Sequence, residues 1–223
     1  MSHANPSDSH DKEAALYDQY VTEHGCHGNE VLFGLMYEFV KPGETVLDMG
    51  IGTGLSSLLF HRMGLHVSGF DSSRGMLGVC ESKGFASQLV QHDLQDVPYP
   101  YATGSFDHVL CLGVLHFFSD LAPVFREAAR IVRPNGLFAF TVEEQQPGQQ
   151  AEYIIRLSER PDQGDRHATV NMFRHSDAHV ANLLARSGFT TLKRFEFFAD
   201  RHPTEGYKIY FKAHVTRLVA EAS

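Results

Sequence analysis

Three carboxylates stand where short apolar runs give out: Asp48 closing Thr45-Val46-Leu47, Asp71 after Leu65–Phe70, and Asp93 after Ser87–Gln91. Runs of this length beside turn signals such as Pro42-Gly43 read as buried parallel strands. After Asp48 come Gly50, Ile51, Gly52, Thr53 and Gly54, and from Leu55 to Met63 the spacing turns helical. Glycine lets backbone approach a ligand closely, so a strand, a glycine-rich turn and a helix start together describe a site for a nucleotide-like ligand. The alternative is a strand-to-helix turn that binds nothing.

The spacing narrows the ligand. Dinucleotide folds use G-x-G-x-x-G or G-x-G-x-x-A, whose last small residue permits tight helix–strand packing. Counted from Gly50 and Gly52, that position is Leu55, which fails the pattern. A pyrophosphate also wants a bare helix N-terminus, and Asp48 would repel it. A ligand with an ammonium or sulfonium centre suits the carboxylate instead. Asp71 follows at about the βαβ interval expected of a carboxylate that accepts ribose hydroxyls, roughly 20 residues on.

Val46-Leu47-Asp48-Met49-Gly50-Ile51-Gly52-Thr53-Gly54 resembles the first motif of the class I S-adenosylmethionine-dependent methyltransferases, of the small-molecule type similar to types 11 and 25. Later segments follow in family order. His92-Asp93-Leu94 is similar to the adenine-binding segment, which implies Asp93 as acceptor of the exocyclic amine and Leu94 as backbone donor. Phe106-Asp107-His108-Val109 matches the fourth-strand pattern, and Arg133-Pro134-Asn135-Gly136-Leu137 resembles a Pro-Gly-Gly segment with asparagine in place of one glycine. Asparagine tolerates positive φ, so the turn is expected to survive. Tyr17-Asp18-Gln19-Tyr20 is similar to a segment that covers the cofactor in such enzymes, with plain aromatic packing as the alternative.

The resemblance covers roughly Tyr17 to Val215 and is most specific up to Phe140. It implies an α/β fold with a Rossmann-like seven-stranded mixed sheet in order 3-2-1-4-5-7-6, strand seven antiparallel and helices on both faces. It also implies methyl transfer from S-adenosylmethionine, leaving S-adenosylhomocysteine. The cofactor-binding set expected is Tyr20, Asp48, Gly50, Ile51, Gly52, Thr53, Gly54, Asp71, Ser72, Met76, Asp93, Leu94, Leu112, Gly113 and His116. The last three follow the fourth strand, beside the topological switch point. No catalytic residue is assigned; His116, Glu143 and Tyr17 are the candidates should the acceptor need a general base.

The elements that must position these residues are legible in outline. A helix over Asp11–His24, apolar on Ala15, Leu16, Tyr20 and Val21, precedes one capped by Asn29 and running to about Val40. Residues 1–40 thus form an N-terminal helical cap on a single domain spanning 1–223. Ser72-Ser73 caps Arg74–Lys83, Ser119 caps a helix through Arg133, and Ser176 caps one ending at Ser187-Gly188. Residues 143–175 read as a lid or substrate-selecting insertion with a short helix at Ala151–Ser158. The last strands are Phe189–Phe198 and Tyr207–Val215.

Composition bounds the function. The chain has 223 residues, 43% of them hydrophobic, and no apolar run long enough to span a membrane. A formal charge of −8 argues against nucleic-acid backbones, which demand clustered Lys and Arg. The Asn/Asp-Pro-Pro-Tyr motif of amino-methylating DNA enzymes is replaced by Leu112-Gly113-Val114-Leu115-His116. Cys26, Cys80 and Cys111 are scattered, and the polar N-terminus lacks an apolar leader, which together predict a reducing cytoplasm. Glu23-His24-Gly25-Cys26-His27 lacks the second Cys/His pair of a zinc site, so no metal is expected. The expected partner is a small molecule, and the assembly a monomer or homodimer. A cofactor-binding protein without transfer activity, or a protein or RNA methyltransferase, is the alternative.

Overall fold

The computed structural model describes residues 6–156, 169–201 and 208–219. Two helices, α1 (Pro6–Glu23) and α2 (Gly28–Met36), precede β1 (Thr45–Met49). Then come α3 (Leu55–Arg62), β2 (His66–Asp71), α4 (Arg74–Ser82), β3 (Gln88–Gln91) and β4 (Phe106–Cys111). A single 3-10 turn at Leu115–Phe117 leads to α5 (Ala122–Ile131) and β5 (Val132–Glu143). The remainder is β6 (Glu152–Arg156), β7 (Thr169–Phe173), α6 (Asp177–Arg186), β8 (Phe189–Arg201) and β9 (Lys208–Leu218).

Seven strands form one sheet in the order β3-β2-β1-β4-β5-β9-β8, with β9 antiparallel to both neighbours. This is the expected order, with β8 and β9 as the sixth and seventh strands of the sheet. The numbering shifts because β6 and β7 pair only with each other, as an antiparallel hairpin outside it. The central strands are buried on both faces, and every residue of β4 is buried. On one face Phe138 and Phe140 pack against Phe125 of α5, with Leu183 and Leu184 of α6 in the same cluster. On the other, Val46, Val67 and Leu110 meet Leu32 and Met36 of α2 and Phe60 of α3. Truncating a ring such as Phe125 to alanine would cost about 3–5 kcal/mol.

Several local expectations are corrected. Residues 152–156 form a strand, not a helix: Tyr153-Ile154-Ile155 is rich in strand-forming side chains and finds its partner in 169–173. Residues 157–158 of that expected helix lie outside the described residues, as do Met1–Asn5 of the cap and Tyr207. α5 begins at Ala122, whose N–H donates to Asp120 Oδ1, so Ser119 does not cap it, and Arg133 already belongs to β5. Asn29 lies inside α2, where its Oδ1 accepts from the Ser56 hydroxyl, and α2 ends at Met36. In α1 the seat on the body is made through Ala14 while Leu16 is exposed, because the helix lies against α4. The caps at Ser73 and Ser176 stand as expected, accepting from Met76 and His179 N–H. Asn135 takes φ +66°, and a Cβ at Gly136 would lie 2.4 Å from the Asp107 carbonyl oxygen.

Candidate cofactor and active site

The turn after β1 is built from three glycines with three different duties. All have positive φ: +77° at Gly50, +55° at Gly52 and +83° at Gly54. A Cβ at Gly50 would lie 2.6 Å from Val114 Cγ2, and one at Gly54 would lie 2.6 Å from the Phe85 ring. These two are therefore needed for packing within the protein. At Gly52 a Cβ meets nothing within 4 Å, so this glycine faces open space above the strand ends. Gly113, after the adjacent strand β4, does the same with φ +69°, and its N–H donates to Thr141 Oγ1. Both glycines lie just past the C-terminal ends of neighbouring strands β1 and β4, the end of the sheet at which α/β folds bind ligands.

Asp71 holds the turn from the β2 side. Its Oδ2 accepts from Gly52 N–H at 2.9 Å and its Oδ1 from Ser73 N–H at 2.8 Å. The Phe70 carbonyl accepts from both Gly50 and Ile51 N–H. A carboxylate accepts about four hydrogen bonds, so orienting bonds from two N–H groups are compatible with ribose hydroxyls as well. Asp48 sits lower, 2% exposed, with Oδ2 accepting from the Ser57 hydroxyl at 2.6 Å. Burial pushes its carboxyl up to about 6; the Ser57 bond opposes this and the Asp71 charge adds to it.

Further out, Ser72 and Asp93 are partly buried and Met76 and Leu94 buried. Asp93 Oδ1 accepts from Gln95 N–H, the turn-capping role that competes with adenine recognition, and Leu94 carbonyl accepts from the Tyr99 hydroxyl. Beyond β4, Leu112 is partly buried and His116 is 7% exposed, its ring 4.2 Å from that of Phe117 and 5.0 Å from that of Phe211. Tyr20 stacks on His24 at 4.0 Å, and Tyr17 is partly buried beside it on α1.

Glu143 is placed differently from a reacting group. It is 3% exposed, and its two oxygens accept from Arg174 Nε at 2.7 Å and the Tyr153 hydroxyl at 2.6 Å. The Arg174 guanidinium also lies 3.8 Å above the Tyr153 ring and donates to the Gln150 carbonyl. The pair fastens the β6–β7 hairpin to the end of β5, and β7 in turn lies against the turn that carries His116. Sequence reasoning missed Arg174 and Lys83, which no local pattern marks, and it quoted Asp18 within the Tyr17–Tyr20 segment without a role, since the partners of all three lie far along the chain. Among the described residues, no three His, Cys, Asp or Glu side chains gather as metal ligands.

Residues 47–140, which include the Asp48–Gly54 turn, match the family model described as a methyltransferase domain. Among curated proteins, the chain is 34% identical over 100 residues to a malonyl-[acyl-carrier protein] O-methyltransferase of Serratia marcescens, covering 45% of this chain and 38% of that one. It is 33% identical over 127 residues to a ubiquinone biosynthesis O-methyltransferase of Xanthomonas oryzae, covering 53% of each. The chain thus spans about half the length of the curated relatives it matches, or less. Among solved structures, a chain from the complex between the Haloferax volcanii Trm112 methyltransferase activator and the putative methyltransferase superposes with TM-score 0.75. That likeness covers 98% of this chain and 100% of the other at 19% identity, and it concerns the fold.

Proposed function

We propose that this protein transfers a methyl group from S-adenosylmethionine to a small-molecule acceptor. The observation that carries the reading is the glycine turn at the end of β1, with Gly52 and Gly113 open to space and the Asp71 carboxylate bonded to the Gly52 N–H. The fit is chemical as well as spatial. The Asp71 carboxylate suits ribose hydroxyls and disfavours a phosphate, and the buried Asp48 places negative potential beneath the turn, where an α-ammonium and a sulfonium gain from it.

When bound, the cofactor supplies a methyl carbon already activated by positive sulfur. The acceptor atom forms its bond to that carbon as the carbon–sulfur bond breaks, and the sulfur keeps the electron pair. The chain's share is alignment and exclusion of water. Gly50, Ile51, Gly52, Thr53 and Gly54 hold the cofactor by backbone; Asp71 and Ser72 take the ribose; Met76, Asp93 and Leu94 take the adenine; Tyr20 covers it. Leu112, Gly113 and His116 face the reacting end. His116 is the general base if the acceptor must lose a proton, because Glu143 already serves Arg174 and Tyr153. The β6–β7 hairpin and α1 wall the acceptor site as a lid. The ubiquinone biosynthesis O-methyltransferase among the relatives supports a small acceptor.

No helix among the described residues is long and apolar enough to cross a membrane. The test is production of S-adenosylhomocysteine from S-adenosylmethionine with fractionated metabolite extract. Turnover with a low-molecular-weight fraction is expected. Turnover confined to a protein or tRNA fraction would overturn the acceptor class, and cofactor binding without turnover in any fraction would overturn the transfer.

A further inference from the structure

Asp18 of α1 reaches across to the glycine turn. Its Oδ1 accepts from the Thr53 hydroxyl at 2.5 Å, and its Oδ2 pairs with Lys83 Nζ, also at 2.5 Å. Lys83, just past α4, donates in addition to the Thr53 carbonyl at 2.7 Å. Thr53 is 1% exposed and stands between Gly52 and Gly54. One residue of the turn is thus gripped through both its side chain and its backbone, by groups 35 and 30 positions away.

We propose that Asp18 is a positioning residue for cofactor binding, and that the Asp18–Thr53–Lys83 junction couples the seating of α1 to the ligand-ready shape of the turn. This rests on the methyltransferase reading of that turn. An isolated ion pair at the surface contributes little. This one is joined to a buried hydroxyl and a buried carbonyl, which lose their partners if it opens. The turn it restrains is the segment of the site with most backbone freedom, since three of its five residues are glycine. Asp71 fixes Gly52 from the β2 side, and Asp18 with Lys83 fixes the next residue from the α1 and α4 side. A turn held from both sides keeps its ligand-ready shape without first having to be ordered.

The coupling is reciprocal by thermodynamic necessity: whatever α1 docking adds to cofactor affinity, bound cofactor returns to α1 docking. Tyr17 and Tyr20 ride on the same helix, so releasing Asp18 also frees the segment proposed to cover the ligand. Asp18 lies outside the residues that match the methyltransferase domain, so the junction joins that domain to a part of the chain the family model does not include.

S-adenosylhomocysteine is the probe, measured by calorimetry on the full chain. Asp18→Ala and Lys83→Met are each expected to weaken binding about tenfold. The double variant should be no weaker than about either single one, and Lys83→Arg should bind like the parent. Hydrogen exchange over residues 6–24 should slow on adding the ligand to the parent and not in Asp18→Ala. Folded variants, checked by their melting transitions, that bind as tightly as the parent would overturn the coupling. Should Asp18→Ala not fold, the contrast between Lys83→Met and Lys83→Arg decides the same question. A parent that binds no S-adenosylhomocysteine at all removes the methyltransferase reading itself, which is distinct from a parent that binds and variants that bind equally.

Discussion

The carboxylate of Asp48 lies directly beneath the glycine turn and accepts a 2.6 Å hydrogen bond from Ser57, nine residues on in the first turn of α3. Its folded-state value of about 6, against 3.8 when exposed, means that ionised Asp48 is held at a cost of about 3 kcal/mol at neutral pH. The sign follows: the neutral acid's advantage is complete below pH 3.8 and is lost as pH rises through 6. Asp48→Asn keeps an acceptor for Ser57 and removes the charge. The variant should melt higher than the parent above pH 6 and bind S-adenosylmethionine more weakly. Thermal scans at pH 5 and 8, with and without ligand, check both; a variant that melts lower at pH 8 without ligand would refute the assignment.

The turn glycines should separate by substitution. Gly52→Ala points a methyl into open space, so its effect on the apo fold is the left-handed strain alone, about 1–2 kcal/mol. Its effect on cofactor binding should be far larger, because the methyl enters that space. Gly54→Ala meets Phe85 and Cys80 and should destabilise the fold well beyond that strain, whether ligand is present or not. Urea unfolding paired with calorimetry distinguishes the two patterns.

His214 lies parallel to Phe140, ring centroids 4.8 Å apart, 2% exposed and with neither ring nitrogen hydrogen-bonded. Burial lowers its value to about 4. The neutral ring's contribution is therefore present above pH 6.5 and lost as pH falls through 4, by up to about 3 kcal/mol. His214→Phe keeps the stacking and should flatten stability across that window without loss at pH 7.5. Melting temperatures of both proteins between pH 4 and 7.5 test this; parallel curves would show that His214 does not govern acid sensitivity.

Arg174→Met leaves the Glu143 carboxylate buried without its cation and should cost about 3–5 kcal/mol. Glu143→Gln should destabilise too, and the pair of substitutions together should cost less than the sum of the two. If Glu143 were instead a general base, Glu143→Gln would abolish turnover while leaving unfolding by urea unchanged. A double-mutant cycle on urea unfolding, run beside the turnover assay, separates these outcomes.

The turn after β1 and the carboxylates at strand ends were legible because each is a local signal, whereas the sheet order came only with the family resemblance those signals carry. Buried parallel strands are continuous apolar runs, and a backbone at positive φ calls for glycine within one or two residues of where the strand stops. The caps at Ser73 and Ser176 are local in the same way, each accepting from an N–H three residues on.

The structure alone decided which glycine of the turn opens to space. Gly50, Gly52 and Gly54 look alike in sequence, and Val114, Phe85 and Cys80 assign their duties from elsewhere in the chain. The same holds for the β6–β7 hairpin, whose strands are recognisable only as a pair, and for Glu143, whose role turns on Arg174. It holds for Asp18, a position within the Tyr17–Tyr20 segment whose role appears only when Thr53 and Lys83 are brought to it. Periodicity and turn chemistry act over a few residues and survive in any one-dimensional reading. Hydrogen-bond partners and steric contacts between residues far apart in the chain exist only once it has folded, and they decided which of the legible residues are held by the protein itself and which open to space.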